Sequence, residues 1–159
     1  MIFRSIRRRY VRYHHCRQSI QRWGEIRCCS TGVATSLKDA GKRPESIETL
    51  RLEGDTKDLK CTNVFCEAAG GPCICRLSRW IEQTKPRLNA LRCLSLRGAK
   101  LGKLPESLFL LDRLEELDLR DNDLTELSES ISKMTELKIL RLDGNNIDVL
   151  PESIRNLVK

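Results

Sequence analysis

Histidine is almost missing from this chain: His14 and His15 are the only two, and both lie in an N-terminal stretch of unusual composition. A serine or cysteine nucleophile elsewhere would therefore have no imidazole base to activate it. No phosphate-cradling loop of the GxxxxGK(S/T) kind occurs. Aromatic residues make up only 4%, so any core has to be aliphatic. No run of 18 apolar residues exists, which argues against a membrane-spanning helix. Acid is missing too, but only locally, since Met1 to Gly24 contains none. These absences point away from an enzyme, a cofactor or a small-molecule substrate.

The charge that is present is unevenly spread. Residues 1–40 hold nine basic and two acidic residues, which accounts for the whole net charge of +7. Within that quarter Phe3, Ile6, Tyr10, Tyr13, Cys16, Ile20 and Trp23 recur at spacings of three or four, an apolar stripe on a helix with arginines around it. An arginine-rich, acid-free amphipathic helix at the N-terminus is the mark of a mitochondrial transit peptide. Arg27-Cys28-Cys29-Ser30 resembles a matrix-protease site, so residues 1–29 are expected to direct import, to the matrix rather than the intermembrane space. Two rivals use the same residues. A retained arm could contact rRNA through Arg7, Arg8, Arg9 and Arg12, since roughly six phosphate contacts give strong, salt-dependent binding. It could also lie on an anionic membrane surface. Residues 30–43 are small, polar and aperiodic, and read as a linker.

From Leu91 to Lys159 the chain divides into three units of 23 residues without insertion or deletion. Leu91, Leu114 and Leu137 open them, and leucines follow at Leu94 and Leu96, Leu117 and Leu119, Leu140 and Leu142. Apolar residues recur at Leu101, Leu124 and Ile147, at Leu104, Leu127 and Leu150, at Leu108, Ile131 and Ile154, and at Leu111, Met134 and Leu157. A fixed period of about 20–29 residues marks a solenoid whose units bury their apolar side only against each other. The LxxLxL half alternates as a short strand does, and the remainder returns the chain through a turn or short helix.

This pattern resembles the 23-residue leucine-rich repeat family. The resemblance implies an α/β solenoid, with a curved parallel sheet on the concave face, short helices or turns on the convex face, and a role in binding other proteins. Asn122 and Asn145 match the family's asparagine, whose amide satisfies backbone groups at the turn after the strand, while Ala99 departs from it. Pro105 and Pro151 match its proline, which Ser128 replaces.

Residues 44–90 read as an irregular first repeat or cap. TLRLEGD aligns with ILRLDGN of the last unit and predicts a strand near Ile47–Leu52. After the turn signal Gly70-Gly71-Pro72, the residues Ile74, Leu77, Ile81 and Leu88 keep helical spacing until Pro86 intervenes. Cys61, Cys66, Cys73 and Cys75 could supply four thiolates to zinc, but the paired CxxC knuckles of structural zinc sites are absent. Buried thiols acting as small hydrophobes are the preferred reading, with zinc or disulfides as alternatives.

Alternation along the strands puts Arg51, Ser95, Asp118 and Arg141 in one outward column and Glu53, Arg97, Arg120 and Asp143 in the next. Columns that mix both signs suit a charge-patterned protein partner better than a phosphate backbone. The last unit is expected to leave Leu140, Leu142 and Leu150 at an open edge, where a neighbouring subunit would cover them. The overall expectation is a non-catalytic scaffold or accessory subunit of a large mitochondrial complex. A ribosomal protein with an rRNA-binding arm and a regulatory adaptor outside mitochondria are the alternatives.

Overall fold

Three-residue strands joined by long returns can form a sheet only if each unit stacks on the next, and that is the architecture found. The computed structural model describes residues 32–54, 57–59 and 74–157, which fall within a single compact unit, Thr31–Lys159. Among the described residues five strands, β1 (Val33–Ala34), β2 (Thr49–Arg51), β3 (Cys93–Ser95), β4 (Glu116–Asp118) and β5 (Ile139–Arg141), form a parallel sheet in chain order. The register sets Leu50, Leu94, Leu117 and Leu140 side by side. Three-ten turns Glu106–Leu110, Glu129–Lys133 and Glu152–Leu157 carry the chain back over the other face, giving a curved α/β solenoid.

The core is the strip between these layers. Leu94, Leu96, Leu117, Leu119, Leu124, Leu108, Ile131 and Met134 are buried there, as the repeat positions require. Each fully buried leucine is worth roughly 1.5–3 kcal/mol, so the stacked column supplies most of the driving force. Phe109 is the one aromatic side chain in the fully buried set among the described residues. In the last unit Leu140, Leu142 and Leu150 are half-buried, whereas Leu117, Leu119 and Leu127 at the same repeat positions are buried.

The stretch whose composition reads as a linker is not one where it is described. Within 30–43, β1 pairs parallel to β2, and a short helix α1 (Leu37–Lys42) follows. Ser36 caps that helix, its hydroxyl accepting from the Asp39 N–H at 3.0 Å, and the Asp58 carboxylate accepts from the Leu37 N–H at 3.1 Å. Leu37 and Ala40 reach the core. A two-residue strand and a six-residue helix are too short to show either period, so the pattern reads as loop. Further on, the helix α2 (Ile74–Thr84) buries Leu77 and Ile81 and ends before Pro86. Trp80 of α2 packs against α1, its indole Nε1 lying 3.8 Å from where a Cβ on Gly41 would stand.

Two polar ladders run along the array. The Asn145 amide donates to the Leu119 and Leu142 carbonyls, both at 2.8 Å, while its Oδ1 accepts from the Asn122 and Leu124 N–H groups at 3.1 and 3.0 Å. Asn122 donates likewise to Leu96 and Leu119 at 2.8 and 3.0 Å. The second ladder joins the three-ten turns. The Glu129 carboxylate accepts from the Ser153 N–H at 3.1 Å, and the Ser153 hydroxyl donates to the Glu129 carbonyl at 2.9 Å. Hydrogen bonds from Ser153 hold the Glu129 carboxyl below its ordinary range, and those from Ser128 and Ser130 do the same for Glu106.

Asn122→Ala is expected to cost about 1–3 kcal/mol, because it strands buried carbonyls. A lower urea midpoint at unchanged slope would show this. The glutamate ladder makes a second prediction. Glu106 and Glu129 titrate below the ordinary value of 4.5 when folded, so the folded state binds fewer protons than the unfolded chain in acid. Their contribution is complete above pH 4.5 and is lost as the pH falls through the folded values. Glu106→Gln with Glu129→Gln should flatten the acid limb of a stability profile and leave its slope near neutrality unchanged.

Candidate functional site: the concave face

Because side chains alternate along a strand, each three-residue strand sends its middle leucine inward and its flanking residues to the concave face. The register brings Arg51, Ser95, Asp118 and Arg141 side by side on that face. Glu53, Arg97, Arg120 and Asp143 follow two residues later along the chain and are exposed or half-buried. Thr49, Cys93, Glu116 and Ile139 form a further column on the same face. The same alternation points to it, although it does not stand out from charge pattern alone.

Most charges on this surface are paired within it. Asp118 is only 6% exposed, and the Arg120 guanidinium grips its carboxylate with Nε 2.9 Å from Oδ1 and Nη2 2.5 Å from Oδ2. The Arg120 backbone N–H adds a third bond at 3.1 Å. Burial alone would push the Asp118 carboxyl up, but the Arg120 hydrogen bonds and the charges of Arg120 and Arg141 outweigh it and hold it below the usual carboxylate range. Asp118 in turn raises Arg120 above its ordinary value.

The pairing continues between strands. Arg141 is ion-paired with Glu116 on the neighbouring strand, and the Cys93 thiol donates to the same carboxylate at 4.0 Å. Arg97 Nε lies 3.0 Å from Asp121 Oδ2. Along the strand-start edge Glu115 sits between Lys138 at 2.6 Å and Arg92 at 3.6 Å. These partnerships join residues 23–25 positions apart and follow from the repeat length once the register is known. Arg51, Glu53 and Asp143 make no ion pair among the described residues.

Ser95 Oγ is buried in the middle of this face without a hydrogen-bond partner among the described residues. The arrangement presents a polar surface with both signs in alternation, a few charges that make no ion pair among the described residues, and small side chains at Thr49, Cys93 and Ser95. No group of three His, Cys, Asp or Glu side chains poised for a metal occurs among the described residues. Cys75 is exposed at the start of α2, while Cys61, Cys66 and Cys73 lie outside the described residues. Residues 1–29, with Arg7, Arg8, Arg9 and Arg12, also lie outside them. No described helix is long and apolar enough to cross a membrane.

Comparison with known proteins agrees with the repeat geometry. A family profile described as a leucine-rich repeat region matches residues 73–159. The fold resembles the solved structure of a leucine-rich repeat protein of Leptospira interrogans, with a TM-score of 0.56 at 28% identity over 79% of this chain. The match spans 32% of that protein, so this chain corresponds to about a third of its length. No curated protein matches.

The Asp118–Arg120 pair generates a test of how this face is held. Arg120→Met should cost about 1.5–3 kcal/mol at pH 7, the usual worth of hydrogen bonds to a charged group. The difference from the parent should shrink as the pH is lowered through the Asp118 value, below 3.8, because a protonated carboxyl no longer needs the guanidinium. Urea titrations of both proteins at neutral and acid pH would measure it.

Proposed function

The chain belongs to the leucine-rich repeat family, and on that premise we propose that it is a protein–protein interaction module, a non-catalytic scaffold or accessory subunit of a large mitochondrial complex. The observation that carries the reading is the concave face, where paired charges of both signs alternate and Arg51, Glu53 and Asp143 are left without an ion pair among the described residues. Such a face discriminates between partners by charge pattern. The mitochondrial part of the proposal, with the matrix rather than the intermembrane space as the compartment, is supported by Met1 to Gly24, an acid-free stretch with an apolar stripe among arginines.

A second reading has its own observation. Arg7, Arg8, Arg9 and Arg12 stand close together in that stretch, the kind of cluster that neutralises phosphates. If the stretch is retained after import, the protein is a ribosomal subunit whose arm touches rRNA while the repeats touch protein neighbours.

Sedimentation of the tagged endogenous protein from mitochondrial lysate, with and without ribonuclease, tests both. The scaffold reading expects a heavy, ribonuclease-resistant peak that Arg51→Glu combined with Asp143→Lys shifts towards monomer size, a weakening of about tenfold or more. The ribosomal reading expects a heavy peak that collapses with ribonuclease and a mature N-terminus ahead of Arg7 by mass spectrometry. Failure of residues 1–40 to carry a reporter into mitochondria would sink both and leave an adaptor elsewhere in the cell.

A further inference from the structure

Away from the concave face, a cavity of about 200 Å³ opens between the turn that follows α2 and the first regular three-ten turn. Leu91, Leu111 and Leu114, all buried, form its apolar floor. Leu110 lines it and is 38% exposed, one of only three large hydrophobic side chains left exposed among the described residues. The 23-residue register sets Lys133 and Asn156 where Leu110 stands, so the first unit alone keeps an apolar side chain on the outside at this position. A lone exposed leucine is ordinary, but an exposed leucine at the mouth of an apolar cavity is the arrangement that receives a partner's anchor side chain.

The rim says what kind of partner. Lys85 and Arg113 line the opening and make no ion pair among the described residues. Asp112 is the single acid in the lining, so the mouth carries net positive charge. At about 200 Å³ the space falls below the roughly 300–1,000 Å³ of small-molecule and cofactor sites and suits one aliphatic side chain. We propose that this cavity is a docking site for an acidic peptide segment of another protein, which inserts a leucine-sized side chain while its neighbouring carboxylates meet Lys85 and Arg113. The site is separate from the concave face and does not depend on what binds there.

Three acetylated, amidated tetrapeptides test it on the full chain: Asp-Leu-Leu-Asp, Lys-Leu-Leu-Lys and Asp-Ala-Ala-Asp. Each is titrated while the leucine methyl groups are followed by NMR. The acidic leucine peptide should shift the methyls of Leu110, Leu111 and Leu114 saturably, and bind about tenfold more tightly than either control. Leu110→Lys, which installs the residue type found at the same position one unit later, should abolish those shifts without changing the fold. Lys85→Glu with Arg113→Glu should reverse the preference towards the lysine peptide. Equal response to the three peptides, shifts confined to strand residues, or binding that survives Leu110→Lys would each overturn the proposal.

Discussion

Everything in the array depends on the corner after each strand, where the chain bends sharply and points carbonyls inward with no strand to receive them. An unpaired buried carbonyl costs on the order of 1–3 kcal/mol, so a stack of such corners is tolerable only if each is satisfied. Asn122 and Asn145 do this by spanning two units at once, donating to carbonyls of their own turn and of the one before. The same corner needs a left-handed backbone. Glycine supplies it at Gly98 and Gly144, with φ of 67° and 72°, but Asp121 adopts it at 58°. A Cβ on Gly144 would stand 2.2 Å from Asp121 Oδ1, so the glycine in one unit makes room for the aspartate in the unit before. That aspartate then reaches Arg97, and a backbone requirement becomes a feature of the concave face.

Where the ladder is interrupted, the effect can be followed through the packing. Ala99 has no amide to give, and its own N–H turns back to the Leu96 carbonyl at 3.3 Å. By the register of Asn145, the Asn122 Oδ1 would accept from the N–H groups of Ala99 and Leu101; it is left buried without a partner among the described residues. The first regular unit is therefore the weakest link of the polar ladder, and it is also where the back layer changes character. On one side is α2, an eleven-residue helix, and on the other a five-residue three-ten turn. The Ser78 and Ser107 hydroxyls bridge them at 2.9 Å. The cavity beside Leu110 lies past the end of that helix, enclosed by Lys85, Pro86, Leu88 and Leu91 on one side and by Leu110 to Leu114 on the other.

Legibility in the sequence followed the repeat. The leucine ladder, the strand at Thr49–Arg51 and the alignment of Arg51, Ser95, Asp118 and Arg141 all come from one period, and that signal recurs often enough to be read without a structure. What lay hidden was either too short or too lateral. β1 and α1 contribute too few residues to display a period, so Leu37 and Ala40 look like linker residues although they are buried. The PESI and SESI segments are visible as repeats, but nothing in one dimension says that Glu129 caps the Ser153 N–H of the next turn. The Arg141–Glu116 pair runs diagonally between columns, which a column-by-column reading passes over. The cavity depends on how the segment after α2 sits beside the residues that end the first three-ten turn, which has no sequence pattern of its own.

The internal pairing also decides which charges can select a partner. Asp118 and Arg120, Glu116 and Arg141, and Arg97 and Asp121 already hold one another, so a partner approaching them gains little beyond what it displaces. The charges that make no ion pair among the described residues lie apart, Arg51 and Glu53 on and just after β2 and Asp143 just past β5. With neighbouring strands about 4.8 Å apart, three strand steps separate Arg51 from the far side of the sheet by roughly 14 Å. On the proposed reading, a partner that places an acid near Arg51 and a base near Asp143 would be favoured in one orientation and repelled when turned round. On that reading the paired centre would contribute shape and a polar floor, and Arg51 and Asp143 would set direction. On the scaffold reading proposed above, a face built in this way would favour one neighbour in one pose, as a fixed subunit of an assembly requires.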